Sequence, residues 1–303
     1  HIINLNNTDL QAQLDATQNG RAIGVTGSGD ASVDIVGGEL SVFDARFDGQ
    51  VDTADVPKGR LSIDAAGTPK LISIRKLNYN GEAGVVDAKG VIDLRNNIGW
   101  NVDGRFDKFN VGYFLPNNPA IITGNLKTSG EWQTPAKNSA NATGKLQRFA
   151  INFDGVLDAE QLPAGKLNIE ASGDSQLIRI NRFRHVGAAG SINAEGTVDV
   201  RQGIAWDINA VMDRFNIGYF LKDTPSLITG TIDTDGRWGD TQQTININQV
   251  NLSGMLKGQP LSAKGSLAAK LRLPKDLASY FKRLQAQDAQ AQYKQVNALV
   301  DSL

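Results

Sequence analysis

The sequence predicts an all-β fold: a long, curled antiparallel sheet built from tandem units of about 106 residues, with one amphipathic α-helix at the C-terminal end. Three observations lead there. Apolar and polar residues alternate with a period of two over most of the chain. The alternation recurs, in phase, in two internal copies. A helical period appears only after Pro274.

The duplication is the most informative feature. Gly59 to Trp132 aligns without a gap onto Gly165 to Trp238, and about 31 of 74 positions are identical. Asp107, Phe109, Asn110, Gly112, Tyr113, Phe114 and Leu115 match Asp213, Phe215, Asn216, Gly218, Tyr219, Phe220 and Leu221. Upstream, Phe43, Phe47, Asp48, Gly49 and Pro57 match Phe149, Phe153, Asp154, Gly155 and Pro163. The implied division is a partial unit over 1–23, a first unit over 24–129 and a second over 130–238. A third starts over 239–273, and a helix follows over 274–303. The chain opens as strand at His1-Ile2-Ile3 and closes inside a helical pattern, so it reads as a segment of a longer protein. Tandem units bury surface against their neighbours.

Within a unit, Leu61, Ile63 and Ala65 alternate with polar residues, as do Val86, Ala88, Gly90, Ile92 and Leu94, and then Ile98, Trp100, Val102, Gly104 and Phe106. The second copy repeats the phase with Leu167, Ile169 and Ala171, with Ile192 to Val200, and with Ile204, Trp206, Ile208, Ala210 and Met212. Such strands have one apolar and one solvated face. Ala66-Gly67-Thr68-Pro69, Asn80-Gly81 and Arg95-Asn96-Asn97 suit hairpin turns. Phase slips at Val42-Phe43 and Arg148-Phe149 predict β-bulges. Asp107 to Pro119 and Asp213 to Pro225 lack alternation and predict a short helical turn or packed loop, with Asp107 and Asp213 as helix N-caps. At roughly 11 residues per strand and turn, a unit would hold about ten strands, and the chain more than about twenty, roughly 100 Å of sheet.

Residues 1 to about 273 offer almost no helix to cover the apolar faces. Dozens of aliphatic side chains left in water at about 1.5–3 kcal/mol each would exceed a typical fold stability of about 5–15 kcal/mol. The sheet must pair as a sandwich, close as a barrel or solenoid, or form a trough whose lining meets a foreign apolar ligand. Pattern alone leaves the sandwich and the trough open. After Pro274, Leu277, Tyr280, Phe281, Leu284, Ala291, Val296, Leu299, Val300 and Leu303 recur at helical spacing, a stripe suited to covering or flanking the sheet.

Composition narrows the function. The 303 residues include no cysteine, which excludes disulfides, thiolate metal sites and a cysteine nucleophile. Lys+Arg is 31 and Asp+Glu 32, a balance that argues against a dedicated nucleic-acid binder. No apolar run reaches the ~18 residues of a membrane-spanning helix. Of two histidines, one is residue 1 and the other, His185, matches Tyr79 in the sister copy, so a surface position is expected. Asp93-x-Arg95 and Asp199-x-Arg201 are read as solvated ion pairs. Thr26 to Asp30 is a Gly-rich turn without the lysine of a phosphate loop. No catalytic triad, carboxylate pair or metal-ligand spacing stands out. The expectation is no enzyme, no metal and no cofactor.

Ile98-x-Trp100-x-Val102, the stretch Phe109 to Leu115, and Ile122-Thr123-Gly124-Asn125-Leu126 followed by Gly130-x-Trp132 resemble the repeats of the TamB family, part of the wider AsmA-like group of bridge-like lipid transfer proteins. Leu252-Ser253-Gly254 with Gln259-Pro260-Leu261 and Lys264-Gly265 resembles its short strand pairs. The resemblance covers most of residues 24 to 273. It implies a β-taco, a sheet folded into an open groove with an apolar interior. It further implies a place in the periplasm of a diderm bacterium and phospholipid passage between the inner and outer membranes. The alternative it implies is assembly of outer-membrane barrel proteins with a TamA-like barrel. The inner-membrane anchor and the TamA-docking region are expected outside this chain. The residues expected to line the groove are Leu61, Ile63, Ile92, Leu94, Ile98, Trp100, Val102, Phe106, Ile122, Leu126 and Trp132 in the first copy. In the second they are Leu167, Ile169, Val198, Val200, Ile204, Trp206, Ile208, Met212, Ile228, Ile232 and Trp238.

Overall fold

Period-two alternation resolves into strands that pair strictly in chain order. The computed structural model describes residues 2–18, 21–52, 57–113, 120–134, 144–159, 162–219, 223–238 and 243–271. They form one 16-stranded antiparallel sheet in which each strand pairs with its neighbours in sequence. The strands are β1 (Ile2–Gln18), β2 (Arg21–Val36), β3 (Glu39–Asp52), β4 (Gly59–Thr68), β5 (Leu71–Gly81), β6 (Gly84–Asp93), β7 (Ile98–Asn110) and β8 (Ala120–Gln133). They continue as β9 (Lys145–Ala159), β10 (Leu162–Gly173), β11 (Leu177–Gly187), β12 (Gly190–Asp199), β13 (Ile204–Phe215), β14 (Ser226–Trp238), β15 (Gln243–Leu256) and β16 (Gln259–Leu271). Connections between neighbours are short, so the contacts are local along the sheet.

The strand count corrects the sequence estimate. The ~106-residue interval holds six strands, β3 to β8 and then β9 to β14, not about ten. Strands of 10 to 17 residues together with their links average nearly 18 residues, against the roughly 11 expected. Sixteen of them at about 4.8 Å give about 75 Å of sheet, not roughly 100 Å.

The bulges fall beside both phase slips. Ser41 is the extra residue where Asp34 faces Val42 and Ile35 faces Leu40. Gln147 is the extra residue where Glu131 faces Arg148 and Trp132 faces Leu146. Arg75 and Asn181 are extra at matching points of β5 and β11. An added residue flips the alternation locally and bends the strand, which keeps the apolar phase on one face.

Several local readings change. Thr26 to Asp30 is the middle of β2, not a turn. Asn80 and Gly81 end β5, and the turn falls on Glu82-Ala83. The helical turns are single 3₁₀ turns, Val111–Tyr113 and Ile217–Tyr219. Asp107 is not their cap: β7 runs on to Asn110, whose Oδ1 accepts from the Gly112 N–H at 2.9 Å, and Asn216 does the same for Gly218. Lys108 and Arg214 take positive φ (48° and 47°), and their N–H groups donate to Thr123 and Thr229 across the strand pair. The amphipathic stretch 274–303 lies outside the described residues.

Candidate functional site

Register places the predicted lining on one face. Cross-strand partners point to the same side of a sheet. Ile92 faces Trp100, Val102 faces Thr128, Gly104 faces Leu126, and Leu126 faces Phe153. Leu167 faces His185, Val198 faces Trp206, and Ala210 faces Ile232. Following partners from β2 to β15 links Leu61, Ile63, Ile98, Phe106, Ile122, Trp132, Ile169, Ile204, Ile208, Met212, Ile228 and Trp238 into that same face. Leu94 and Val200 sit one residue past the ends of β6 and β12, exposed at the margin. The prediction missed Phe43, Phe47, Ile72, Ile74, Leu77 and Phe153, which share the face. Their signal was visible in β3 but broken in β5, where the bulged Arg75 interrupts the alternation.

No second layer covers this face among the described residues: all described strands lie in the one sheet. Most of the lining is half-buried by its lateral neighbours alone. One margin is open, with Ile98 40 %, Trp132 41 % and Ile204 51 % exposed. The opposite margin is tighter. There Val51, Tyr79 and Ala83 form a buried cluster with Leu61, Val86 and Phe109 packed against it.

Large rings lie flat over glycines. Trp100 pairs with Gly130 and Trp206 with Gly236, and a Cβ at either glycine would overlap the indole. Phe47 covers Gly27 and Gly49 in the same way, and Phe153 covers Gly155. The Trp100 N–H donates to the Thr128 hydroxyl at 3.1 Å, which takes its polar edge off the surface. The outcome is a low, smooth apolar floor.

His185 corrects the expectation of a surface histidine. It is buried, and its Nε2–H donates to the Pro163 carbonyl at 2.9 Å. Tyr79 occupies the matching place, its hydroxyl donating to the Pro57 carbonyl at 3.0 Å. Both side chains tie a strand-entry loop to the tight margin. His185→Ala should cost about 2 kcal/mol, because it opens a cavity and leaves a buried carbonyl unpaired, whereas His185→Tyr should stay within about 1 kcal/mol. Urea unfolding followed by circular dichroism checks both.

The two Asp-x-Arg pairs are solvated hairpin clamps. Arg95 binds the Asp93 carboxylate at 2.6 Å, Arg201 binds that of Asp199, and each carboxylate also accepts from the arginine's own backbone N–H. These bonds hold the Asp93 and Asp199 carboxyls down at about 2. An unfolded aspartate titrates near about 4, so this stabilisation is full above about pH 4 and is lost as pH falls through about 2. The stability gap between the natural chain and the Asp93→Asn, Asp199→Asn double variant should therefore be largest above pH 4 and close by about pH 2, read from unfolding curves across that range.

The opposite face is polar and carries open recesses. A recess of about 830 Å³ is lined by Asn168, Arg182, Arg184, Asn193, Glu195 and Asn209 among others. A second, of about 410 Å³, is lined mainly by Lys76, Asp87, Lys89, Asp103, Arg105 and Lys127. The apolar face is open surface rather than pocket, and contact area is what sets the strength of apolar association. No group of metal-ligating side chains forms among the described residues, and none of their helices is long and apolar enough to cross a membrane.

The model of the TamB N-terminal domain matches residues 2–138 and 134–294. The chain belongs to the TamB family. The translocation and assembly module subunit TamB of Haemophilus influenzae (strain ATCC 51907 / DSM 11121 / KW20 / Rd) is 26% identical to it over 125 residues. That match covers 41% of this chain and 10% of the Haemophilus TamB, so the chain corresponds to a small part of that relative's length. No solved structure matches. The TamB-like motifs around Trp100 and Trp132 thus sit on β7 and β8, where they build the apolar face.

Proposed function

We propose that the apolar face is a track for phospholipid acyl chains, and that the protein serves bridge-like lipid transport across the periplasm of a diderm bacterium. One observation carries this reading: a continuous apolar surface crosses the strands from β2 to β15 with no layer of the described protein over it. Each aliphatic side chain left in water costs about 1.5–3 kcal/mol, which acyl chains would recover. The sheet curls into a groove around them, and its ~75 Å length exceeds the ~30 Å core of one bilayer. Membership of the TamB family supports an envelope role within the translocation and assembly module, working with a TamA-like barrel through regions outside this chain. The protein acts as a conduit and not as an enzyme.

A second reading is an assembly scaffold that adds client strands by β-augmentation. β16 favours it, since within the described sheet it is a terminal strand that pairs only with β15. Mass spectrometry of the purified chain separates the two. Co-purifying phospholipid, lost when the apolar face is altered, supports the track. Lipid-free protein that crosslinks to client strands at the β16 edge supports the scaffold.

A further inference from the structure

The two copies keep the apolar face and change the polar one. Beneath the smaller recess, Leu77, Ala88 and Leu126 match Phe183, Ala194 and Ile232, all apolar. Above it, Lys89 matches Glu195, Arg105 matches Val211, and Lys127 matches Asp233. Both recesses lie beside the bulges that Arg75 and Asn181 make, and they share matching walls on β5 to β7 and β11 to β13 with different chemistry.

The first dent carries excess positive charge. Lys76, Lys89, Arg105 and Lys127 stand around a recess of about 410 Å³, together with the carboxylates of Asp87 and Asp103 and with Leu77, Ala88 and Leu126 at its floor. Arg75, also in the lining, is held by Asp44 and Asp64, and Asp87 accepts from Asn78 at 2.6 Å. The four other cations have no ion pair among the described residues. Register fixes their spacing: Lys89 faces Asp103, and Asp103 faces Lys127, which puts the two lysines two strands, or about 10 Å, apart. Four cations grouped against two carboxylates on a rigid sheet, with aliphatic stems as walls, suit an anion of several charges better than a single carboxylate.

We propose that the recess over β5 to β8 binds a phosphate-bearing ligand of two or more negative charges, and that the matching recess of the second copy does not. This site is on the face opposite the acyl track and does not depend on it. Isothermal titration of the full chain with inorganic tripolyphosphate at low salt tests it. One saturable site is expected, weakened more than tenfold in the Lys89→Glu, Lys127→Asp variant. Both changes install the sister copy's residues, so the sheet tolerates them, and circular dichroism verifies folding. Arg182→Gln should leave binding unchanged. A second arm uses phosphatidylglycerol vesicles. Vesicle binding that tripolyphosphate displaces assigns the phosphate to a lipid headgroup, whereas tripolyphosphate binding without vesicle binding assigns it to a soluble phosphate ester. No saturable binding of either probe, equal binding in the double variant, or loss in Arg182→Gln overturns the proposal.

Discussion

Val102→Asp and Ile208→Asp should each strip bound phospholipid from the purified protein while the sheet stays folded. Val102 lies between Gly90 and Thr128, and Ile208 between Gly196 and Thr234, at the middle of the apolar face in each copy. Both are half-buried by lateral neighbours, with water or ligand above. An aspartate there keeps its hydration in the empty protein, so the stability cost should stay within about 1–2 kcal/mol. An acyl chain laid across the same point would have to desolvate the carboxylate, at several kcal/mol, which corresponds to a loss of occupancy of about a hundredfold or more. Lipid mass spectrometry and thermal melts read the two effects separately. A variant that unfolds instead would mean the face is a covered core, and the track reading would fall.

Gly230→Val should produce the largest loss of stability. Gly230 has φ 141°, a conformation side chains rarely adopt, and a Cβ there would run into the Asn251 carbonyl and the Leu252 Cα of the next strand. Those are backbone atoms of a paired strand, so the clash can be relieved only by parting β14 from β15. Strain and steric overlap together should cost about 3 kcal/mol or more, lowering the melting temperature by about 10 °C. Gly104→Ala is the control. Its Cβ would make ordinary contacts, with the Phe106 ring at 3.5 Å and the Asp87 carbonyl at 3.8 Å, and the sister copy already carries Ala210 there. Equal melting of the two variants would show that β14 and β15 are not closely paired at this point.

Much of the fold was legible because it is local. Alternation places each side chain on a face from its neighbours in sequence, and hairpin links leave a strand little choice but the one before it. Hence Leu61, Trp100, Ile208 and their companions could be assigned to one face without coordinates. Strand count was misjudged because strand length depends on how far a ladder of hydrogen bonds continues, which composition does not encode. Asn110 and Asn216, rather than Asp107 and Asp213, close the 3₁₀ turns because β7 and β13 run further than the loss of alternation implied. Gly130 stood out as a motif glycine, but its role as a seat for Trp100, and that of Gly236 for Trp206, follows only from the pairing register.

The sequence by itself determined the all-β class, the apolar and polar faces, and two of the bulges, since each depends on the order of residues along one or two strands. Tertiary structure alone decided that His185 is buried on the Pro163 carbonyl, that no second sheet of the described protein closes over the apolar face, and that four cations with no ion pair among the described residues line one recess over β5 to β8. These depend on which residues the stacked registers bring together across strands far apart in the chain, and a period of two, being the same everywhere, carries no record of that.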